Sequence, residues 1–345
     1  LCISLGSCEK STESDVTQPV EPIWERVASV EGFNATSLKI INGELYFAGR
    51  TSTGNCIYRT SDGESWGTVS TALRDSFPNG VAAIAGYEGG IIAVGYYYSP
   101  LNKISPDGSI EQISPNLWIF STDMDVYNSE IYIGAYNSEA LTRIDINGGL
   151  HRLKLRAYDN NCGETYSDTN YMHVAILKKN EWHGENLLFA GLSGFNHFFC
   201  PVDTSGLICF TREGIDTWEE WYGLRDFIAS GDTIYAGGIG VLKYYYNNKW
   251  EILGDSLPPT NGRASYINAI TKADNRLFVA VNKGGIYEYK KDGWSLLGDG
   301  LPQAEAGDNI DELARLIYYK GYLFAAYGAR NYGVVEKMGL WRYKL

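Results

Sequence analysis

An all-β fold made from one repeated unit follows from three features of this chain: a duplicated nonapeptide, a recurring pair of short strands, and two ends that complement each other. Trp250 to Pro258 reads WEILGDSLP and Trp294 to Pro302 reads WSLLGDGLP, 44 residues later, with the Trp, the apolar pair, Gly-Asp and Leu-Pro all kept. The segments leading into the two copies, GDTIYAGGIGVLKYYYNNKW and DNRLFVAVNKGGIYEYKKDGW, share one order of turn, apolar strand, Gly-containing turn, strand, turn and Trp. A fixed period of about 40 to 50 residues suits a four-stranded propeller blade. The sequence therefore predicts a seven-bladed β-propeller of four-stranded blades over residues 21–345.

The number seven comes from the turn-plus-strand unit. Five weaker copies accompany the two strong ones: NGELYFAGR, EGGIIAVGY, NSEIYIGAY, GENLLFAGL and KGYLFAAYG. The first apolar residues after the turns are Leu45, Ile91, Ile131, Leu187, Ile234, Leu277 and Leu323. An apolar strand and a polar turn precede each anchor, as in SLKII, VAAIAG, TDMDVY and YINAIT, which is the pattern of a β-hairpin.

The ends decide how the repeat finishes. After MGLWRYKL the chain stops one strand short of a full unit, while EPIWERVASVEGF near the start places Trp24 where the internal copies have Trp250 and Trp294. An N-terminal strand that completes the last blade closes the ring and removes the sheet edges an open repeat would leave.

Composition agrees. With 44% hydrophobic residues among 345, the chain is long enough to bury a large core, and 26 Tyr with 39 Gly suit strands and tight turns. A formal net charge of -12 opposes the phosphate contacts on which nucleic-acid affinity depends, so no nucleic acid is expected.

The first 20 residues, LCISLGSCEKSTESDVTQPV, differ in character from the rest. Leu5-Gly6-Ser7-Cys8 resembles the bacterial lipobox, with residues 1–8 the remnant of a signal peptide whose front is missing. The resemblance implies lipidation of Cys8, a flexible tether over residues 9–20 and a place in the bacterial cell envelope, anchored at the outer membrane by lipid alone, facing the periplasm or the surface. Of the other cysteines, Cys200 and Cys209 flank PVDTSGLI at a spacing that can staple a hairpin in an oxidising compartment; the alternative is that these and Cys56 and Cys162 are free thiols. No CxxC pair suggests structural zinc, and no metal or cofactor is expected.

YRTSDGESW, Tyr58 to Trp66, resembles the Asp-box of BNR-like, sialidase-type propellers, and FTREGIDTWEEW resembles a degenerate second copy. In such families the box shapes the turn between outer strands, which implies a folding role for Asp62 and Trp66. A sialidase would also need an arginine triad, a Tyr paired with a carboxylate, and an Arg-Ile-Pro near its start, and the last is missing from this chain.

Gly254-Asp255-Ser256-Leu257 matches the nucleophile signature of a serine esterase family. There the Ser needs a downstream His as base, whereas His151, His173, His183 and His197 all precede Ser256, and the sister repeat has Gly300 in its place. The tetrapeptide reads as a turn leaving an outermost strand, and no catalytic residue is assigned. The histidines lack metal-ligand spacing.

Binding is the expected function. In a propeller, the loops joining an outermost strand to the next innermost one, and those joining strands two and three, gather on one face at the channel mouth. These loops supply Arg50, Tyr96, Tyr136, His197, Arg225, Asp226, Asp311, Glu312, Arg330 and Tyr332 as candidate ligand-binding residues. Aromatic rings beside Asn, Asp and Arg suit sugars, whose C–H faces stack while their hydroxyls hydrogen-bond. The reading is a monomeric, non-enzymatic binding or scaffold module, with glycans as one ligand class. Two alternatives stay open: a glycan-processing hydrolase or lyase at the channel mouth, and a protein-interaction platform in the envelope.

Overall fold

The computed structural model describes residues 23–30, 34–51, 54–70, 73–77, 80–96, 99–114, 117, 121–135, 141–153, 158–159, 163–164, 173–182, 185–193, 199–203, 206–207, 225–238, 240–247, 249–257, 266–282, 284–291, 293–302, 312–328 and 339–345. Among them are seven four-stranded antiparallel sheets, numbered here in chain order. The first six are meanders spanning 34–68, 81–112, 121–153, 173–207, 226–253 and 267–296. The seventh takes Glu312–Tyr319, Tyr322–Gly328 and Gly339–Lys344 from the C-terminal end and Glu25–Arg26 from the N-terminal end. The first strand of each sheet packs against the first strand of the next, and Glu312–Tyr319 packs against Asn34–Ile41.

Tight hairpins set the register. Asn42 and Gly43 have φ of 51° and 80°, and Lys320 and Gly321 have 46° and 85°, the left-handed pair that a two-residue turn needs to match the strand twist. The second strands are apolar on both faces because a neighbouring sheet covers each side. Gly90–Gly95 is buried throughout, and Ile92 and Val94 pack on Met124, Ile131 and Ile133 of the third sheet.

The two chain ends meet through one tryptophan. Trp24 is 2% exposed and lies among Leu297, Leu301, Leu323 and Tyr343. Its backbone N–H donates to Asp299 O at 2.9 Å and its Nε1 donates to Leu297 O at 2.9 Å. Glu25 and Arg26 pair with Arg342 and Trp341, and Arg342 Nε donates to Glu25 Oε1 at 2.6 Å. The first sheet packs on the other side of the seventh. Tyr319 Oη donates to Gly43 O at 2.7 Å and Ser61 O at 3.0 Å, and Trp66 meets Phe324 edge-on at 5.8 Å.

Trp66 is placed by the turn before it. Asp62 Oδ1 accepts the amides of Glu64 and Ser65, both at 2.8 Å, and Thr60 Oγ1 accepts that of Gly63 at 2.9 Å. These backbone bonds, with the Thr60 hydroxyl, hold the Asp62 carboxyl well below the usual carboxylate range.

The Gly-Asp-Ser-Leu segment is such a turn too. Gly254 has φ of 70°, and a Cβ there would lie 2.6 Å from Tyr289 Cε2. Asp255 O accepts Trp294 Nε1 at 3.0 Å, Leu257 is buried, and Ser256 is exposed. At the equivalent position Gly300 has φ of 98°, and a Cβ would lie 2.6 Å from Trp24 O. The repeat loses its serine where the N-terminal strand passes. Gly300→Ser is expected to destabilise the protein by about 2 kcal/mol or more, from positive-φ strain and the backbone clash, while Ser256→Ala changes stability by less than about 0.5 kcal/mol. Urea unfolding of both variants checks this.

Candidate functional site

A cavity of about 810 Å³ runs between the first strands of all seven sheets. Each of these strands turns an edge toward it, and an unpaired edge leaves backbone amides to be satisfied. Side chains from the neighbouring sheet do so. Asp125 Oδ2 accepts Lys179 N at 3.0 Å, Asp226 Oδ2 accepts Ile270 N at 2.7 Å, and Thr271 Oγ1 accepts Tyr318 N at 3.2 Å.

The strands hold these groups at common levels because six of the seven bulge near their start, the register slipping at Thr36, Ala82, Thr122, Ala175, Asn268 and Ala314. Asp125 and Thr271 are each third after a bulge, and their donors Lys179 and Tyr318 are each fourth. Beyond the bulge the fourth sheet has seven paired residues, Ile176–Trp182, where the first has five, Ser37–Ile41. Its hairpin therefore runs two residues further, about 7 Å at a strand's rise of about 3.3 Å per residue.

Two ion pairs complete the wall. Lys39 Nζ lies 2.9 Å from Asp123 Oδ1 and also donates to Met124 O, so the first sheet reaches the third. Lys178 bonds Asp226 Oδ1, and Phe227 O at 3.1 Å. Asp226 Oδ1 accepts Phe227 N at 2.8 Å as well. At the rim, Tyr87 has its pKa raised by burial and by Glu88, and the Lys103 ammonium holds the Glu88 carboxyl below its ordinary value.

Of the candidates from sequence, Asp226 is the one that lines this cavity among the described residues. Both its carboxylate oxygens are engaged by amides and Lys178. Arg50 is the penultimate residue of the second strand of the first sheet, paired with Asn34 and Asn55. Tyr96 donates its amide to Gly80 O at 3.0 Å, and the Arg225 guanidinium lies 5.7 Å from the Tyr266 ring centre. All three belong to the loop-bearing end. Glu312 begins the first strand of the seventh sheet, opposite Gly328. Tyr136, His197, Asp311, Arg330, Tyr332, Cys8 and Cys209 lie outside the described residues, and Cys200 is a strand residue paired with Ala190. Cys56 is buried and its thiol donates to Gly49 O at 3.4 Å.

Lys39, Asp123, Asp125, Lys178, Lys179 and Arg315 line the cavity, and sequence reasoning did not select them. Their signal was charge inside otherwise apolar first strands, the Lys of SLKII and the Asp pair of TDMDVY.

No family model and no curated protein matches the chain. Solved structures do. A streptogramin B lyase is 13% identical with a TM-score of 0.62, covering 94% of this chain and 98% of its own. The WD40 beta propeller domain of Doa1 is 10% identical with a TM-score of 0.55, covering 93% and 96%. The fold is a β-propeller. YCF48 bound to D1 peptide is a further neighbour, 13% identical with a TM-score of 0.58, covering 94% and 96%. At these identities the likeness concerns the propeller architecture alone.

Asp226 ties three sheets of this propeller together. Asp226→Ala leaves Lys178 without its carboxylate and Ile270 N without an acceptor, and is expected to cost about 3 kcal/mol. Asp226→Asn, which keeps one acceptor oxygen, costs less. Thermal unfolding of the two variants side by side provides the check.

Proposed function

We propose that this chain is a seven-bladed β-propeller, closed by its N-terminal strand, that serves as a non-enzymatic binding or scaffold module of the bacterial cell envelope. The observation that carries the binding reading is the cavity between the seven first strands, whose carboxylates hold backbone amides and lysines. Asp125 and Asp226 are anchored by those bonds, and groups so engaged suit architecture better than proton transfer. Closure draws support from the pairing of Glu25 with Arg342 and from the contact of the seventh sheet with the first. The Asp62 turn has the hydrogen bonding that suits an Asp-box role in outer-strand geometry. The Cys8 lipobox supplies the anchor and the envelope location, and the propeller acts as a monomer.

Glycans are the proposed ligand class for the loop-bearing face, where Arg50, Tyr96 and Arg225 lie and for which the sequence also offers His197, Arg330 and Tyr332. An envelope protein is the second reading, favoured by the likeness to a propeller solved with a bound peptide. A glycan array and polysaccharide pull-down with the whole chain separates them. The proposal expects retention of one polysaccharide class, weakened about tenfold by Tyr96→Ala with Arg225→Ala. No retention of any glycan would transfer the loop face to a protein partner.

A further inference from the structure

The cavity also reaches the opposite end of the propeller, where the hairpin turns at Asn42, Glu88 and Asn128 border it. Its volume of about 810 Å³ falls in the range of about 300 to 1,000 Å³ usual for small-ligand sites. We infer that this channel binds a small ligand bearing an oxyanion, carboxylate or phosphate, through the ammonium groups of Lys39, Lys178 and Lys179. The inference does not depend on what the loop face binds.

The argument rests on what the wall presents. Formally the lysines and the aspartates balance, but they do not stand equally forward. The Asp123 side chain is 5% exposed behind Lys39 at 18%, and Asp226 is 3% exposed behind Lys178 at 27%. Asp125 has one oxygen on Val126 N at 2.8 Å and the other on Lys179 N at 3.0 Å. A ligand entering the channel therefore meets ammonium groups, with the carboxylates turned to backbone amides behind them. Each ammonium carries three donors. Lys39 directs two to Asp123 and Met124 O, Lys178 directs two to Asp226 and Phe227 O, and among the described residues one remains on each.

Lys179 adds a full charge. Its side chain is exposed and lines the cavity, and no ion pair of its ammonium is made among the described residues. It comes from the one first strand that runs two residues beyond the level of its neighbours, so the wall that carries Lys178 and Lys179 also stands higher at this mouth. Glu88 is the carboxylate at the rim, and it is held by Lys103. The chain as a whole carries -12, so a cation-fronted channel departs from its general surface, and charge-assisted hydrogen bonds from lysine to an oxyanion are the interaction such a wall supports.

Titration calorimetry of the full chain with inorganic phosphate and with glucuronate, at matched ionic strength and with glucose as the neutral control, tests this. Saturable binding of at least one of the two anions and none of glucose is expected, and which anion binds identifies the oxyanion. Lys179→Glu is expected to weaken that binding about tenfold or more. Its side chain is exposed, so the variant keeps the test decisive if Lys178→Met, which strands a buried carboxylate, fails to fold. Absence of saturable binding by both anions, or equal affinity in Lys179→Glu, would overturn the inference.

Discussion

Everything else in this molecule depends on Trp24 reaching the far end of its own chain. A sheet that ended at Gly339–Lys344 would expose a row of unpaired backbone groups at the outer margin of the seventh unit. Instead Glu25 and Arg26 pair there, and Trp24 fills the space between the sixth and seventh sheets. The contact is short in sequence but central in packing, since it orders the sheet whose Tyr319 and Phe324 meet Trp66 at its junction with the first. Two covalently distant ends thus become neighbours, and the seven first strands are held side by side around one cavity.

That arrangement creates a problem the chain solves chemically. Neighbouring first strands are too far apart to form a continuous ladder, so their inner amides need other partners. Asp125, Asp226 and Thr271 supply them from the adjacent sheet. Carboxylates in that role need compensating charge where water is scarce, and Lys39 and Lys178 provide it. The same lysines become the surface that the channel shows, so stability and recognition draw on one set of residues.

What was legible in the sequence was whatever the repeat made redundant. The 44-residue period, the hairpin turns and the equivalence of Trp24 with Trp250 and Trp294 all rest on local patterns seen more than once. The turn from Thr60 to Ser65 was readable for a related reason, because all its hydrogen bonds join residues within a few positions. The serine of Gly-Asp-Ser-Leu was read as structural from its loss in the sister copy, and the structure adds why Gly300 stands there. The charged channel was not legible. Lys39 meets Asp123 from two sheets away, and no local pattern announces such a pairing. The longer fourth hairpin was hidden too, because it adds residues to both strands equally and leaves the alternation of the strands undisturbed.

Amide hydrogen exchange on the full chain and on its Trp24→Ala variant tests the role of the N-terminal strand most directly. Removing a large, fully buried side chain and its bond to Leu297 O costs about 3 kcal/mol, and about a hundredfold faster exchange follows wherever that contact governs opening. The account predicts this loss of protection in Gly339–Lys344, in Glu312–Tyr319 and across the junction in Asn34–Ile41. Faster exchange confined to residues 24–27, with both flanking sheets as protected as before, would contradict it.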